Sequence, residues 1–219
     1  MTGKIPKPPA PPKFGRGALR SLARAELEDE AVYRNYVLEG ENLAGLNLHA
    51  VTFEGCVFRE ADLSGVHWRQ IRFQDVRFED CQLSGATFEE CGLERVEIVG
   101  GRLLGSRWPA VRLRQVSFSR VSAPLSSWDK AEGKGVWWQD ADLAEASFLE
   151  AKLLAAIFRG CKLHKTLFHG AKLEGADLRS CDLAGARLGL RELAGVTVEA
   201  AQLLDLAHLL GVKVESLDA

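Results

Sequence analysis

The sequence lacks the features of a membrane-spanning or exported protein. Its 219 residues contain no run of eighteen apolar residues, so no transmembrane helix is expected. The first residues are rich in proline and lysine and contain no apolar core of a signal peptide. These two absences predict a protein of the cytoplasm.

The elements of catalysis are also missing. The chain has no glycine-rich phosphate loop, and its five histidines are scattered along the sequence. His164 and His169 are five residues apart, but no cysteine or carboxylate accompanies them at the spacing of a metal site. We therefore expect no enzyme activity, no metal site and no cofactor.

The chain has little excess charge of either sign. It carries 28 lysines and arginines against 30 aspartates and glutamates, which gives a formal net charge of -2. The first 35 residues are more basic than acidic, and the rest of the chain is mildly acidic. Because seven basic residues spread over the first 35 make a weak electrostatic footprint, direct binding of nucleic acid is not expected.

What the chain does have is a large apolar residue at every fifth position from Leu38 to Leu203, with one weak stretch. A period of five fits neither the 3.6 residues of a helical turn nor the two of a strand. Most of these large residues follow a small residue by two positions, as in the units Ala61-Asp-Leu-Ser-Gly and Cys181-Asp-Leu-Ala-Gly. Since one such unit cannot bury its apolar pair alone, the pattern predicts stacked coils, that is, a solenoid.

Residues twenty positions apart share a character, which predicts square coils of four units each. One column contains only leucine: Leu43, Leu63, Leu83, Leu103, Leu143, Leu163, Leu183 and Leu203. Another is mostly aromatic: Leu48, Trp68, Phe88, Trp108, Phe148, Phe168 and Leu188. The cysteines, which are odd in number, all occupy the small inward position: Cys56, Cys81, Cys91, Cys161 and Cys181. They are therefore predicted to be buried core thiols, with no role in disulfides or metal binding.

The unit consists of a small residue, Asp or Asn, Leu or Phe, and two variable polar residues. In this it resembles the unit of the pentapeptide-repeat protein family. The resemblance covers roughly residues 36–205. It implies an all-β solenoid, a right-handed quadrilateral β-helix, whose coils lie about 4.8 Å apart like neighbouring strands.

The chain divides into four predicted segments. Residues 1–16 form a Pro/Lys-rich arm that is flexible or in a polyproline conformation, and residues 17–35 form an N-terminal cap with some helical spacing. Residues 36–205 form the β-helix. Residues 199–219 form a C-terminal capping α-helix and tail, with Gly211 as the helix stop.

Family members pair through their C-terminal ends, so the resemblance implies a homodimer. The leucines of the capping helix are then the candidate dimer contacts: Leu203, Leu204, Leu206, Leu209 and Leu210.

Residues 119–137 match the pattern poorly, although the phases of five and twenty persist. Trp128 falls in the aromatic column, whereas Ala123 and Gly133 stand where large residues belong. Either a distorted coil stays in the stack, or a loop leaves the stack and returns one coil later. Loops of related gyrase-protecting proteins touch their target, so the candidate partner contacts are Trp128, Asp129, Lys130 and Trp137.

The best understood activity in the family is the protection of type II DNA topoisomerases from poisoning antibiotics. Such proteins resemble B-DNA in width and charge. The resemblance therefore implies DNA gyrase or topoisomerase IV as the partner and a non-enzymatic role in antibiotic resistance, through DNA mimicry. The alternative, favoured by the balanced charge, is a generic protein-interaction scaffold with an unknown partner.

Overall fold

The computed structural model describes residues 7–210 of the chain. The two helical segments at the C-terminal end are the α-helix α1 (Gln202–Leu206) and a 3-10 turn (Ala207–Leu210), and a further 3-10 turn spans Arg24–Glu26. The strands are β1 (Arg20–Ser21), β2 (Val32–Arg34), β3 (Tyr36–Glu39), β4 (Asn47–His49), β5 (Thr52–Glu54), β6 (Val57–Arg59), β7 (His67–Arg69), β8 (Arg72–Glu79), β9 (Thr87–Glu89), β10 (Gly92–Val99), β11 (Arg112–Ser119), β12 (Glu132–Gln139) and β13 (Ile157–Arg159).

The strands form a parallel β-solenoid. Strands β8, β10, β11 and β12 pair side by side in parallel, and each residue faces the one twenty positions further on. Strands β4, β7 and β9 form a second, smaller sheet with the same spacing. Single parallel bridges such as Asp62↔Gln82 and Asp142↔Lys162 continue the stack along the remaining stretches. The predicted β-helix with a coil of twenty residues is confirmed.

The large and small residues of each unit point inward as predicted. The aromatic column is a continuous stack, in which the ring centroids of Phe88 and Trp108 lie 4.0 Å apart and those of Trp108 and Trp128 lie 5.1 Å apart. The leucine column is buried from Leu43 to Leu183. Leu203 is the exception, because it is 56% exposed. Its place in the column was a wrong prediction, since the chain leaves the coil after the last bridge, Asp177↔Thr197.

Residues 119–137 stay in the stack as a distorted coil. The backbone amides of Ala123 and Trp128 donate hydrogen bonds of 2.7 Å to the next coil, and β12 pairs along its length with β11. The space that the small residues Ala123 and Gly133 leave in the core is filled in part by two fully buried tryptophans, Trp128 and Trp138. Leu153 also fills the space at Gly133, where an added Cβ would lie 2.7 Å from its Cδ2 atom. The coil therefore closes without a projecting loop.

The buried tryptophans differ in how their indole N–H groups are satisfied. Trp128 donates to the hydroxyl of Ser126 at 2.9 Å, and Trp108 donates to Ser106 in the same way. The indole nitrogens of Trp68 and Trp138 are the only buried side-chain nitrogen or oxygen atoms without a partner among residues 7–210. The position two residues earlier is a serine in the first two cases and a valine in the other two. A serine at this small slot therefore serves as the acceptor for the tryptophan that follows it.

The N-terminal segment covers the first coil as expected, but mainly as strands and not as a helix. Strand β1 pairs with β3, and β2 pairs with β5. Leu22 and Tyr33 enter the core, where the Tyr33 ring stacks on that of Phe53 at 5.5 Å. The offset between β1 and β3 is sixteen residues in place of twenty, so the extra coil does not follow the repeat.

The C-terminal end is closed by the short helix α1. The predicted helix is real but begins only at Gln202, after the chain has completed its last bridge at Thr197. The side-chain amide of Gln202 donates to the carbonyls of Leu178 and Cys181, both at 2.8 Å, and so satisfies backbone groups at the open end. The predicted helix stop Gly211 and the tail lie outside the described residues, as do residues 1–6 of the arm.

Candidate partner-binding surface

The predicted partner contacts in the distorted coil have different environments. Trp128 is completely buried, so its side chain belongs to the core and cannot meet a partner. Asp129 accepts hydrogen bonds from the amide of Leu149 and from the hydroxyl of Ser147, which gives it a structural role in the stack. Lys130 is exposed, and Trp137 is half-buried on the outer face of β12. Of the four residues, Lys130 and Trp137 therefore remain candidate partner contacts.

The predicted dimer contacts are also divided. Leu206 is 5% exposed and packs against the core, and Leu209 is half-buried against it. Leu203 and Leu204 are 56% and 65% exposed. The side chain of Leu210 is outside the described part of the structure. Leu203 and Leu204 are therefore the leucines of α1 that remain predicted contacts for a second copy.

Charges of opposite sign alternate along the outer ladders of the rod. Arg59 lies between Glu39 and Glu79 on neighbouring coils and forms ion pairs with both, at 3.2 and 2.7 Å. Arg77 pairs with Glu97 one coil further on at 2.8 Å. Because the side chains repeat every 4.8 Å or so, the charges of these residues are neutralised by the coil above or below them. These ladders do not form a continuous acidic stripe.

The most enclosed ion pair joins Asp75 and Arg95 at one corner of the rod. The Asp75 side chain is nearly buried, and Arg95 donates to both of its oxygens, at 2.6 and 2.8 Å. Burial alone would raise the pKa of Asp75, but the hydrogen bonds from Arg95 and from the backbone amide of Lys13 outweigh it and hold the pKa below its usual value. Asp75 therefore stays ionised at neutral pH.

One face of the rod carries arginines that form no ion pair with an acidic residue among residues 7–210. Arg72 and Arg112 lie on either side of Gly92, in register with it, and Arg114 follows on the same strand as Arg112. All three are exposed, and none forms an ion pair with a described residue. Since Gly92 has no side chain and a Cβ there would meet nothing within 4 Å, a gap separates the two stacked arginines. We call Arg72, Gly92, Arg112 and Arg114 the arginine face.

The carboxylates nearest to the arginine face are already paired elsewhere. Glu94 forms an ion pair with Arg95 at 2.7 Å, Glu90 with Arg69 at 3.1 Å and Glu132 with Lys152 at 2.6 Å. Glu94 and Glu132 are the register neighbours of Arg114 and Arg112, so they lower the positive potential of the arginine face although they form no ion pair with it. This feature was missed in the sequence, although sorting the outward positions by twenty would have shown two arginines around a glycine.

The cysteines lie inside the rod, away from its outer faces. All five are buried, and burial raises the pKa of Cys81 to about 11 and that of Cys91 to about 12. A thiol with a raised pKa is a poor nucleophile and a poor metal ligand at neutral pH. In the part of the chain that the structure describes, no group of three or more His, Cys, Asp or Glu side chains is placed to hold a metal ion. No described helix is long and apolar enough to cross a membrane.

Family models confirm what the repeat indicates. The model of the pentapeptide repeat region matches residues 46–128, and the model of eight pentapeptide repeats matches residues 163–189. The chain belongs to the pentapeptide-repeat family. Among curated proteins, none shows significant similarity to this pentapeptide-repeat chain.

Solved structures of other pentapeptide-repeat proteins resemble the fold. HetL, involved in heterocyst differentiation regulation in the cyanobacterium Nostoc sp. strain PCC 7120, is 20% identical, with 78% of this chain and 84% of HetL covered and a TM-score of 0.44. A trypsin-treated form of QnrB1, a plasmid-mediated fluoroquinolone resistance protein, is 20% identical, with 84% and 99% covered and a TM-score of 0.40. A pentapeptide repeat protein from the Arabidopsis thaliana thylakoid lumen is 15% identical, with 82% and 77% covered and a TM-score of 0.15. At these identities the likeness concerns the fold alone.

Proposed function

We propose that this pentapeptide-repeat protein is a non-enzymatic scaffold that binds an acidic surface of another protein through its arginine face. The observation that carries the proposal is that Arg72 and Arg112 lie on either side of Gly92, beside carboxylates that form their ion pairs with other cations. Guanidinium groups are planar and bind carboxylates through two parallel hydrogen bonds, and arginine is enriched in protein interfaces. The gap at Gly92 leaves room for an acidic side chain between the two arginines.

The backbone of the rod supports this role because it presents the arginines on a rigid element. Arg72, Arg112 and Arg114 all lie on the long strands β8 and β11, which pair on both sides with neighbouring coils. Little conformational entropy is then lost in the backbone when a partner binds. A partner contact of this kind needs neither a cofactor nor a reacting group.

Reversal of charge on the arginine face is expected to abolish partner capture. The variant Arg112→Glu/Arg114→Glu places two carboxylates where an acidic surface would dock, so we expect at least a tenfold loss of the protein that the unaltered chain captures from its native cells. The matched control Arg102→Glu/Arg120→Glu makes the same change of net charge at exposed positions away from the arginine face and should capture that protein normally. Quantitative mass spectrometry of the captured proteins measures both. A captured set that is the same for the two variants would contradict the proposal.

A type II topoisomerase remains the first named partner to test, because the repeat resembles that of gyrase-protecting family members. DNA mimicry is less well supported, since charges alternate along ladders such as Glu39, Arg59 and Glu79. We therefore propose that, if gyrase is the partner, the arginine face makes the contact. Supercoiling by purified gyrase with ciprofloxacin, with and without this protein, tests the idea. Rescue that is lost in Arg112→Glu/Arg114→Glu is the expected result, and the absence of rescue or inhibition at micromolar protein would exclude the topoisomerase.

A further inference from the structure

The described part of the N-terminal arm lies along one corner of the rod. The corner is a ladder of residues on successive coils: Asn35, Gly55, Asp75, Arg95, Gln115 and Gly135. The backbone amide of Ala10 donates to the side-chain carbonyl of Gln115 at 2.8 Å, and the backbone amide of Lys13 donates to Asp75 at 2.9 Å. The arm thus runs along the rod in the direction opposite to the order of the coils.

The spacing of the arm matches the spacing of the ladder. Three residues of a polyproline II helix advance about 9.3 Å, and two coils advance about 9.6 Å. Ala10 and Lys13 are three residues apart, and their acceptors, Gln115 and Asp75, are two coils apart. From Pro8 to Lys13 every residue except Ala10 and Lys13 is a proline, which has no backbone N–H. The two backbone amides in this stretch are therefore the two that donate.

The acceptors on the ladder are held in place before the arm binds. Arg95 donates to both oxygens of the Asp75 carboxylate, and Oδ1, which accepts from Arg95 Nε, also accepts from the Lys13 amide. A Cβ at Gly135 would overlap the amide of Gln115, so the glycine allows that side chain to lie across the corner. A Cβ at Gly55 would likewise lie 2.8 Å from the Asn35 side-chain oxygen. Preorganised acceptors of this kind reduce the cost of ordering a ligand.

We propose that this corner is a binding site for a proline-rich extended segment of a partner protein, and that the arm occupies the site until such a segment displaces it. The site selects a ligand with a free backbone amide at every third residue and prolines between, because only those amides reach the ladder. Tethering gives the arm an effective concentration in the millimolar range, so it competes strongly with any free ligand. The proposal concerns a different surface from the arginine face and does not depend on it.

The test releases the arm from the corner by substitutions in the arm alone, so the coils of the rod are unchanged. The variant Ala10→Pro/Lys13→Pro, which we call the opened variant, keeps the polyproline conformation of the arm but removes both backbone N–H donors. The control variant Ala10→Ser/Lys13→Ala keeps both amides. The probe is a fluorescent peptide with the sequence of residues 7–16, and its anisotropy is measured against each full-length variant. We expect the opened variant to bind the peptide at least tenfold more tightly than the unaltered protein and the control do.

Two further variants show where the peptide binds. Adding Gln115→Ala to the opened variant removes one acceptor and should weaken peptide binding three- to tenfold, and adding Asp75→Ala should weaken it more. Gln115→Ala leaves the Asp75–Arg95 pair intact, so it remains informative if Asp75→Ala fails to fold by circular dichroism. Peptide binding that is equal in the opened and control variants, or that does not respond to Gln115→Ala, would overturn the proposal.

Discussion

Replacement of Trp128 by alanine is expected to cost about 3–5 kcal/mol of unfolding free energy. Trp128 is fully buried and packs against the rings of Trp108, Phe118 and Trp138. In this coil the slots at 123 and 133 hold Ala and Gly, so the neighbouring side chains have little capacity to fill the cavity. Equilibrium unfolding in urea, followed by far-ultraviolet circular dichroism, measures the change.

The matched control for this variant is Trp137→Ala. Trp137 is half-buried on the outside of the same coil, so we expect its loss to cost about 1 kcal/mol or less. If the coil were a loop outside the stack, the two substitutions would have similar small effects. Equal losses in the two variants would therefore contradict the in-stack position of Trp128.

Substitution of Gly101 by alanine is expected to destabilise the rod by about 3 kcal/mol or more. Gly101 has a φ of 84°, and an added Cβ would overlap the carbonyl oxygen of Cys81 and lie 2.9 Å from its amide nitrogen. These are backbone atoms of the adjacent coil, so the clash cannot be relieved by turning a side chain. The two coils would have to separate, which would weaken their hydrogen bonds.

Gly105→Ala provides the comparison. Gly105 also has a positive φ, 62°, but an added Cβ would meet nothing within 4 Å. The Gly105→Ala variant should therefore lose only about 1 kcal/mol of unfolding free energy, because alanine adopts a positive φ less readily than glycine. Thermal unfolding of both variants separates the effect of the clash from that of the backbone conformation. A Gly101→Ala variant as stable as Gly105→Ala would show that the coils at this point are not in close contact.

The interior of the rod was predictable from the sequence because every fifth residue must point inward. The columns of Leu63 and Trp68 followed from spacing alone, and the cysteines fell into the small slots where the structure buries them. The N-terminal coil was not predictable in this way. Its first strand is offset by sixteen residues, so Leu22 reaches the core outside the phase of the repeat.

The surface was harder to predict because the repeat leaves the outward positions free. Whether Arg112 is available depends on where Glu94 and Glu132 find partners, and those partners, Arg95 and Lys152, are set by three-dimensional geometry. The sequence left open whether the arm is flexible or in a polyproline conformation, and it did not indicate that the amides of residues 10 and 13 donate to the rod. Every residue except proline has a backbone N–H, so the sequence indicates such donors only through the spacing of the non-proline residues in the arm.

The most direct test of the proposed binding role is site-specific photocrosslinking in the cells that naturally make the protein. A photoreactive phenylalanine analogue replaces Lys134, the register neighbour of Arg114 on the next coil, in one variant, and Ser122 in the other. Both positions are exposed, and Ser122 lies about half a coil away, on the opposite side of the rod. Proposed docking on the arginine face predicts a discrete protein adduct from position 134 and none from position 122. Adducts from position 122 alone, or from neither position, would contradict it.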